Sequence, residues 1–570
     1  MNSGNNAANN AARFWQGRER YTVFDTHYGA GANVAALIEA WRADPARPAR
    51  LHIVALADGL LPGFHRIPQQ HAGVTLDLLA APLDSALSQL SCRIDFARLE
   101  GIGGQGAGFA RGLARLAASD ARLACEDLDD AQRDALAAQG FVFDDANSGA
   151  HFASRKPRLP LPPVPARQAI VIGAGLAGCA AAERLCARGW QVTLVDRHAA
   201  VAREASGNLA GIFMPLLSKD DNIPTRLTRA AYLYALRYWD TLGGIGGSNG
   251  AIEGAACGVM QLARDAGHAE ASRAIASGGQ YPREFAEWLE APQAQELLGL
   301  PAPEGAWLFR QGGWARPGSV CEAMLAACGA RLTTRFGVGS VSLARDGDAW
   351  AVRNEEGKTL ARAATVVLAG GAGSVGQPQA ARLPLAALRG QVTHLDASTV
   401  PGLPFVLCRE AYLTPAAGGI ACAGATYDLD ADPQLSAASQ LENIERLRAL
   451  VSDPTAGAGV PLAGRVGFRS VAPDRLPLVG SLPDVDAAGG TERLRDVPRH
   501  PGLHGLLGYA SRGLIWAPLC AELLAARLEN EPLPLESALV DALDPARFVL
   551  RARRTARGPA MNEADQADLR

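Results

Sequence analysis

The 570-residue sequence has no run of eighteen or more uncharged apolar residues, which excludes a helix long enough to cross a membrane. It has no excess of charge either. Its 55 basic and 58 acidic residues leave a net charge of −3, so any nucleic-acid partner must be held by local basic patches. No CxxC occurs, and the ten cysteines are scattered without a pairing pattern. That argues for a reducing compartment, and the expected location is the cytoplasm, with no metal site expected. The opening MNSGNNAANNAARFW lacks the charged, apolar and cleavage regions of a signal peptide, and reads as a disordered polar lead over residues 1–15. Lysine is nearly missing: Lys156, Lys219 and Lys358 stand among 55 basic residues, an imbalance that fits GC-rich coding and says little about function.

What is present is enough for two or three domains, since 570 residues exceed one ordinary core. Hydrophobic residues make up 48% and charged residues 20%, the balance of a folded globular protein. The clearest boundary is PRLPLPPVPARQ at residues 157–168, where five prolines block regular hydrogen bonding and favour extended chain. The expected organisation is a domain over 16–155, a Pro/Arg linker over 156–168, a larger domain over 169–550 and a basic tail over 551–570. Arg155, Lys156, Arg158 and Arg167 in the linker, and Arg547, Arg551, Arg553, Arg554 and Arg557 at the tail, are candidate patches for a nucleic-acid partner. A solvated surface is the plainer reading of each.

In the first block, residues 21–25 read as a strand, Gly29, Ala30 and Gly31 as a turn, and residues 33–41 as a helix. Further strands are expected at 51–56, 74–79 and 140–143, so the block is α/β. The second block opens with a strand at 169–172, a glycine-rich turn, a helix at 177–188 and a strand at 191–195, a βαβ unit. The turn reads GAGLAG, a complete GxGxxG. In that context Gly173 permits the tight turn, Gly175 lets backbone approach a pyrophosphate, and Gly178 lets the helix pack on the strand. Asp196, at the end of the second strand, is placed to accept ribose hydroxyls.

Later motifs extend the pattern. Residues 205–208 read ASGN, and the strand expected at 364–368 runs into AGGAG, which includes Gly370. RGQ stands at 389–391, YLTP at 412–415 and GAT at 424–426. GFRS follows at 467–470, DRLP at 474–477, and GYASRGL at 508–514. This layout resembles the D-amino-acid oxidase and glycine oxidase superfamily of flavoenzymes, and the resemblance implies FAD. It implies cofactor contacts from Gly173, Gly175, Gly178, Asp196, Ser206, Gly207, Asn208, Gly370, Gly508, Gly513 and Leu514. It also implies that Arg469 clamps a substrate carboxylate, because the planar guanidinium binds both oxygens at once. Tyr412 would donate a hydrogen bond to the same carboxylate, and Arg512 would stabilise charge arriving on the flavin. The plainer readings are a surface ion pair, a packed tyrosine and a capping arginine.

Finer wording narrows the resemblance. RGWQVTL at 188–194, MPLLSK at 214–219, QGGW at 311–314, REAYLTP at 409–415 and APLCAE at 517–522 are similar to the bacterial tRNA 5-methylaminomethyl-2-thiouridine biosynthesis family. Members of that family join an N-terminal S-adenosylmethionine-dependent methyltransferase to a C-terminal FAD oxidoreductase. The resemblance therefore implies a tRNA anticodon stem-loop as partner. The implied reaction is oxidative removal of the carboxymethyl group from 5-carboxymethylaminomethyl-uridine, releasing glyoxylate, followed by methylation of the amine. The candidate S-adenosylmethionine site is Gly29, Gly31, Asn33 and Asp58, where HYGAGAN at 27–33 keeps the shape of the family's GFGTGLN. The first block departs elsewhere. Ala57 stands where an acid is expected, Glu100 replaces the aspartate of the LDGFAP loop, and that loop's Pro, Asn and Trp are gone. Methyl transfer is accordingly expected to be weak or absent. A free small amine as substrate, with the first block a non-catalytic binding module, is the alternative reading.

Overall fold

The structure is a computed structural model. It describes residues 11–557 apart from 69–70, 105, 107, 146–147, 154–160, 247–249, 460–462, 488 and 490, with the side chains of 553–557 also outside the description. The chain forms two compact units, one of residues 1–165, 236–241 and 522–540, the other of 166–235, 242–521 and 541–570. No helix among the described residues is long and apolar enough to cross a membrane. All ten cysteines are free.

The first unit is built on an eight-stranded sheet. Its five parallel strands lie in the spatial order Val74–Ala80, Arg50–Leu56, Arg20–Asp25, Ile94–Leu99, Ala117–Cys125. Antiparallel strands close both edges: Gly63–Ile67 on one side, Gly149–Phe152 and Phe141–Phe143 on the other. Sequence reading missed Ile94–Leu99, because Asp95 and Arg98 interrupt its apolar pattern. Arg98 is nonetheless buried. The segment 522–540 belongs to this unit through a buried ion cluster. The Arg66 guanidinium meets Asp77 at 2.6 Å and Glu522 at 2.5 Å and donates to the Pro532 carbonyl at 2.6 Å.

Two boundary expectations are corrected. Residues 11–15 are not a disordered lead: Ala11 and Trp15 are fully buried, and the indole donates to Asp44 at 2.7 Å. Nor does a free basic tail begin at 551, because the helix Arg547–Arg557 runs through that point. Arg547 is buried, held by Asp474 at 2.9 Å and by the Leu476 and Pro477 carbonyls, and Arg551 reaches the same Asp474 at 2.6 Å. Arg155, Lys156 and Arg158 of the linker, and the tail from 558 onward, lie outside the described residues.

The second unit has a six-stranded sheet with Gln168–Ile172 between Gln191–Val195 and Thr365–Leu368, all parallel, continued by Arg499–Leu507 and an antiparallel Leu478–Pro483. Ile and Val fill Gln168–Ile172 because a strand covered on both faces rewards apolar, β-branched side chains. The helix Leu176–Cys186 completes the βαβ unit. A mixed eight-stranded sheet carries the other functional strands, with Tyr412–Leu413, Ile420–Gly424, Ala386–Asp396 and Ala463–Val471 side by side.

Candidate functional site

One cavity of about 1100 Å³ in the second unit gathers most of the residues singled out from sequence. At one end lies the GxGxxG turn. A Cβ on Gly173, which has φ +108°, would stand 2.6 Å from the Ala369 carbonyl oxygen. One on Gly178 would collide with the Gly173 carbonyl itself. Both positions are therefore closed to any side chain by backbone, for the reasons of turn geometry and helix–strand packing. Gly175 lines the cavity, and its Cβ would meet Ser206 Oγ at 3.0 Å. Ser206 in turn accepts the Leu176 amide at 3.1 Å, so its hydroxyl satisfies one of the free N–H groups at this helix start.

Asp196 also lines the cavity. Its two carboxylate oxygens accept the Ala174 amide at 2.6 Å and the His198 amide at 2.8 Å, which fixes its orientation and leaves lone pairs for a hydroxyl ligand. Asn208, Gly370, Gly508, Gly513 and Leu514 are on the cavity wall, and the helix Gly513–Leu528 directs its positive end there. Gly178 and Gly207 are not on the wall. Gly207 lies against the guanidinium of Arg465, a residue the sequence reading missed. Arg465 donates to the carbonyls of Arg203 and Glu204, each at 2.6 Å, and to Asn208 Oδ1 at 3.4 Å, and so holds the ASGN loop in shape. The available signal was its spacing: residues four apart on the strand Ala463–Val471 share a face, which puts Arg465 beside Arg469.

Tyr412, Arg469 and Arg512 also line this cavity. Arg469 donates through Nη1 to the Thr426 carbonyl at 3.1 Å, and its guanidinium lies 4.2 Å from the centroid of the Tyr427 ring. It passes over Gly390, where any Cβ would strike it, which explains the glycine of the RGQ motif. Among the described residues Arg469 forms no ion pair, and neither does Arg512, whose one side-chain hydrogen bond is a 3.4 Å contact to the Met214 carbonyl. Burial lowers the Arg512 pKa, and Tyr427 and Cys408 act in the opposite direction. The Tyr412 phenol is held in its neutral form, because burial pushes its pKa far up and the nearby Arg469 offsets this only in part. A neutral phenol and two cations without acid partners make a receptor for an anionic group.

The first unit offers a contrasting crevice. Its strand order reverses beside Arg20–Asp25, so the space beyond Asp25 and Leu99 is where a ligand of such a sheet would sit. Gly29 and Gly31 have φ +54° and +80°, Gly31 caps the helix Ala32–Ala43, and Asn33 lies in its first turn. Asp58 is exposed just past the strand Arg50–Leu56. The acids nearer the switch point are engaged. Buried Arg98 meets Asp25 at 3.4 Å and Glu126 at 3.5 Å, and also pairs with Glu100, the replacement for the family's loop aspartate. Burial, the largest influence on Asp25, raises its pKa, and Arg98 opposes that. The glycine turn is thus kept and Asp58 stays outside any ion pair among the described residues, while Asp25 and Glu100, the acids nearest the switch point, are spent on an internal cation. These residues fit S-adenosylmethionine poorly.

A family model described as FAD dependent oxidoreductase matches residues 168–527. Over 600 residues the chain is 40% identical to the tRNA 5-methylaminomethyl-2-thiouridine biosynthesis bifunctional protein MnmC of Azoarcus sp. (strain BH72), covering 97% of this chain and 93% of that protein. It is equally 40% identical to the protein of the same name from Paraburkholderia phytofirmans, over 95% of this chain and 92% of the relative. Among solved structures, glycine oxidase from Geobacillus kaustophilus superposes with a TM-score of 0.55 at 21% identity, covering 66% of this chain and 98% of its own. Iminodiacetate oxidase from Chelativorans sp. BNC1 does so with a TM-score of 0.53 at 22% identity, covering 64% and 96%. At such identities these two show a shared fold.

Proposed function

The chain belongs to the FAD-dependent oxidoreductases and, over nearly its whole length, to the family of tRNA 5-methylaminomethyl-2-thiouridine biosynthesis bifunctional proteins. On that premise we propose that its second unit removes the carboxymethyl group from 5-carboxymethylaminomethyl-uridine at the wobble position of a tRNA. The carbon between nitrogen and carboxylate loses a hydride, water adds to the resulting imine, and the C–N bond breaks to give glyoxylate and 5-aminomethyl-uridine. FAD, when bound, supplies the hydride acceptor. The observation that carries this reading is the continuity of one cavity from the GxGxxG turn to Arg469, Tyr412 and Arg512.

The residues divide the work by their chemistry. Gly173, Gly175, Asp196, Ser206, Asn208, Gly370, Gly508, Gly513 and Leu514 form the cofactor cradle, and Gly178 and Gly207, behind its wall, let the turn and the loop take their shape. Arg469 binds the carboxylate of the carboxymethyl arm, leaving Nη2 and Nε free for a two-point contact. Tyr412, kept neutral, donates a hydrogen bond from its hydroxyl to the same carboxylate. Arg512 supplies positive charge where electrons arrive. The first unit carries the family's methyltransferase architecture. Its methyl transfer from S-adenosylmethionine to the new amine is weak or absent, because Ala57 offers no carboxylate and Glu100 is tied to Arg98. A cytoplasmic site of action completes the reading, supported by ten free cysteines.

The test is anaerobic mixing of the flavin-loaded protein with tRNA bearing the carboxymethylaminomethyl group and, separately, with free N-methylglycine. Bleaching of the flavin by the tRNA at micromolar concentration supports the reading. Bleaching by N-methylglycine alone overturns it in favour of a small-amine oxidase.

A further inference from the structure

The segment 425–436, between the strand Ile420–Gly424 and the helix Ala437–Val451, is irregular but tightly held. Arg389 and Gln391, both buried, clamp it from beneath. Arg389 donates to the Asp432 carbonyl at 2.8 Å and the Gln434 carbonyl at 2.6 Å, and its backbone exchanges two hydrogen bonds with Asp428. Gln391 bonds Ser436 through both ends of its amide, donating at 3.0 Å and accepting at 2.8 Å. Within the RGQ motif Gly390 makes room for Arg469, while Arg389 and Gln391 are the anchor of this strap.

The strap and its two flanks carry a concentration of exposed apolar side chains. Of the eleven large hydrophobic side chains exposed among the described residues, five fall within residues 420–441: Ile420, Tyr427, Leu429, Leu435 and Leu441. Tyr427 is 59% exposed, lines the cavity, and rests against the Arg469 guanidinium 4.2 Å from its centroid. A solvent-facing aromatic ring on an ordered segment has already lost most of the freedom that binding would cost it. The neighbouring side chains define what it can receive. Asp428, Asp430 and Asp432 repel phosphate, so the strap does not suit a nucleic-acid backbone. A flat, uncharged π-face stacks on tyrosine whatever its sequence identity.

We propose that Tyr427 is the stacking platform for the pyrimidine ring whose amine arm enters the cavity, and that Arg389 and Gln391 are positioning residues that hold the platform in place. The inference rests on the reading that the substrate is a tRNA nucleoside. It adds a division of labour: Arg469 holds the carboxylate while the ring stacked against it holds the base, so a single arginine sets the distance between the two ends of the substrate. The base must leave its own stack to reach this position, as nucleobases acted on by enzymes do.

The experiment compares two anticodon stem-loops as competitors of modified-tRNA oxidation, one with uridine and one abasic at the wobble position. It uses flavin-loaded wild type, Tyr427→Phe and Tyr427→Leu, with flavin content and melting temperature recorded for each. Wild type and Tyr427→Phe prefer the uridine loop by roughly 5- to 150-fold, the range one base–aromatic stack commands. Tyr427→Leu loses that preference, and its KM for modified tRNA rises by a similar factor, more than its saturated rate falls. Equal base preference in Tyr427→Leu and wild type overturns the platform and leaves the proposed reaction standing. Failure of wild type to bind or oxidise the tRNA at all overturns the reaction and the platform together. Arg389→Met, which removes the strap's anchor but not the ring, gives an independent check: it weakens the same base preference, and an unchanged preference contradicts the positioning role.

Discussion

The turn at Gly29 and Gly31 in the first unit and the turn at Gly173 and Gly175 in the second occupy matching places, each between a parallel strand and the helix that follows it. Their surroundings differ. In the second unit the obstacles to a side chain at Gly173 and Gly178 are backbone atoms, the Ala369 carbonyl at 2.6 Å and the Gly173 carbonyl itself, so glycine there is enforced by the packing of the fold, while Gly175 faces the Ser206 hydroxyl at 3.0 Å. In the first unit the nearest atoms are the tips of side chains from the same loop, His27 Nε2 at 3.0 Å and Tyr28 Oη at 2.8 Å, which can swing away. The acid after the second strand, Asp196, faces a cavity in one unit. In the other unit the matching place holds Ala57 and the exposed Asp58, and the acids at the neighbouring strand ends, Asp25 and Glu100, face Arg98. A glycine fingerprint therefore reports turn geometry, and the groups opposite the turn decide whether a ligand can use it.

The contrast can be broken most severely at Gly175. A leucine there meets Ser206 Oγ and fills the cavity floor, so Gly175→Leu should purify colourless, with flavin absorbance per chain falling to background while circular dichroism stays native. A folded variant with full flavin content would remove the cofactor assignment.

Next in size is Arg98→Leu, which leaves the buried Asp25 carboxylate without its cation. Breaking such a pair costs about 3 kcal/mol, towards the low end of the usual range because Glu100 and Glu126 are partly exposed. Hydrogen exchange should accelerate across Arg20–Asp25 and Ile94–Leu99 while flavin reduction in the second unit keeps its rate. Unchanged exchange in those strands would mean that the ion cluster is not what holds these strand ends together.

Smaller still is Arg469→Ala. Losing the charge-assisted contacts to a desolvated carboxylate is worth at least about 2 kcal/mol, which slows flavin reduction by modified tRNA roughly 30-fold or more with FAD content unchanged. Equal rates in variant and wild type would move the carboxylate clamp to another arginine, with Arg409 on the same cavity wall the first to test.

The βαβ unit at 168–195 was legible because its strand, turn and helix are contiguous and each obeys its own period. Arg469, Tyr412 and Arg512 were legible only through motifs, since sheet pairing brings them together across a hundred residues of chain. Tyr427 escaped notice: an exposed tyrosine has no pattern, and its meaning comes from the strap that Arg389 and Gln391 pin from another strand. Arg98 hid a strand, because a buried arginine breaks the apolar pattern while its acid partners are supplied by tertiary contacts. Trp15 was lost in a polar lead for the opposite reason. A single indole following an Asn-rich stretch gives no period, yet it fills the core beside Tyr21.

The most direct test supplies the protein with tRNA carrying the carboxymethylaminomethyl group together with S-adenosylmethionine bearing a labelled methyl, and follows the wobble nucleoside by mass spectrometry. The account predicts that the carboxymethyl form disappears, that one glyoxylate is released per nucleoside converted, and that the unmethylated aminomethyl form accumulates. Persistence of the carboxymethyl form, or labelled methylaminomethyl-uridine appearing as fast as the carboxymethyl form is consumed, would contradict it.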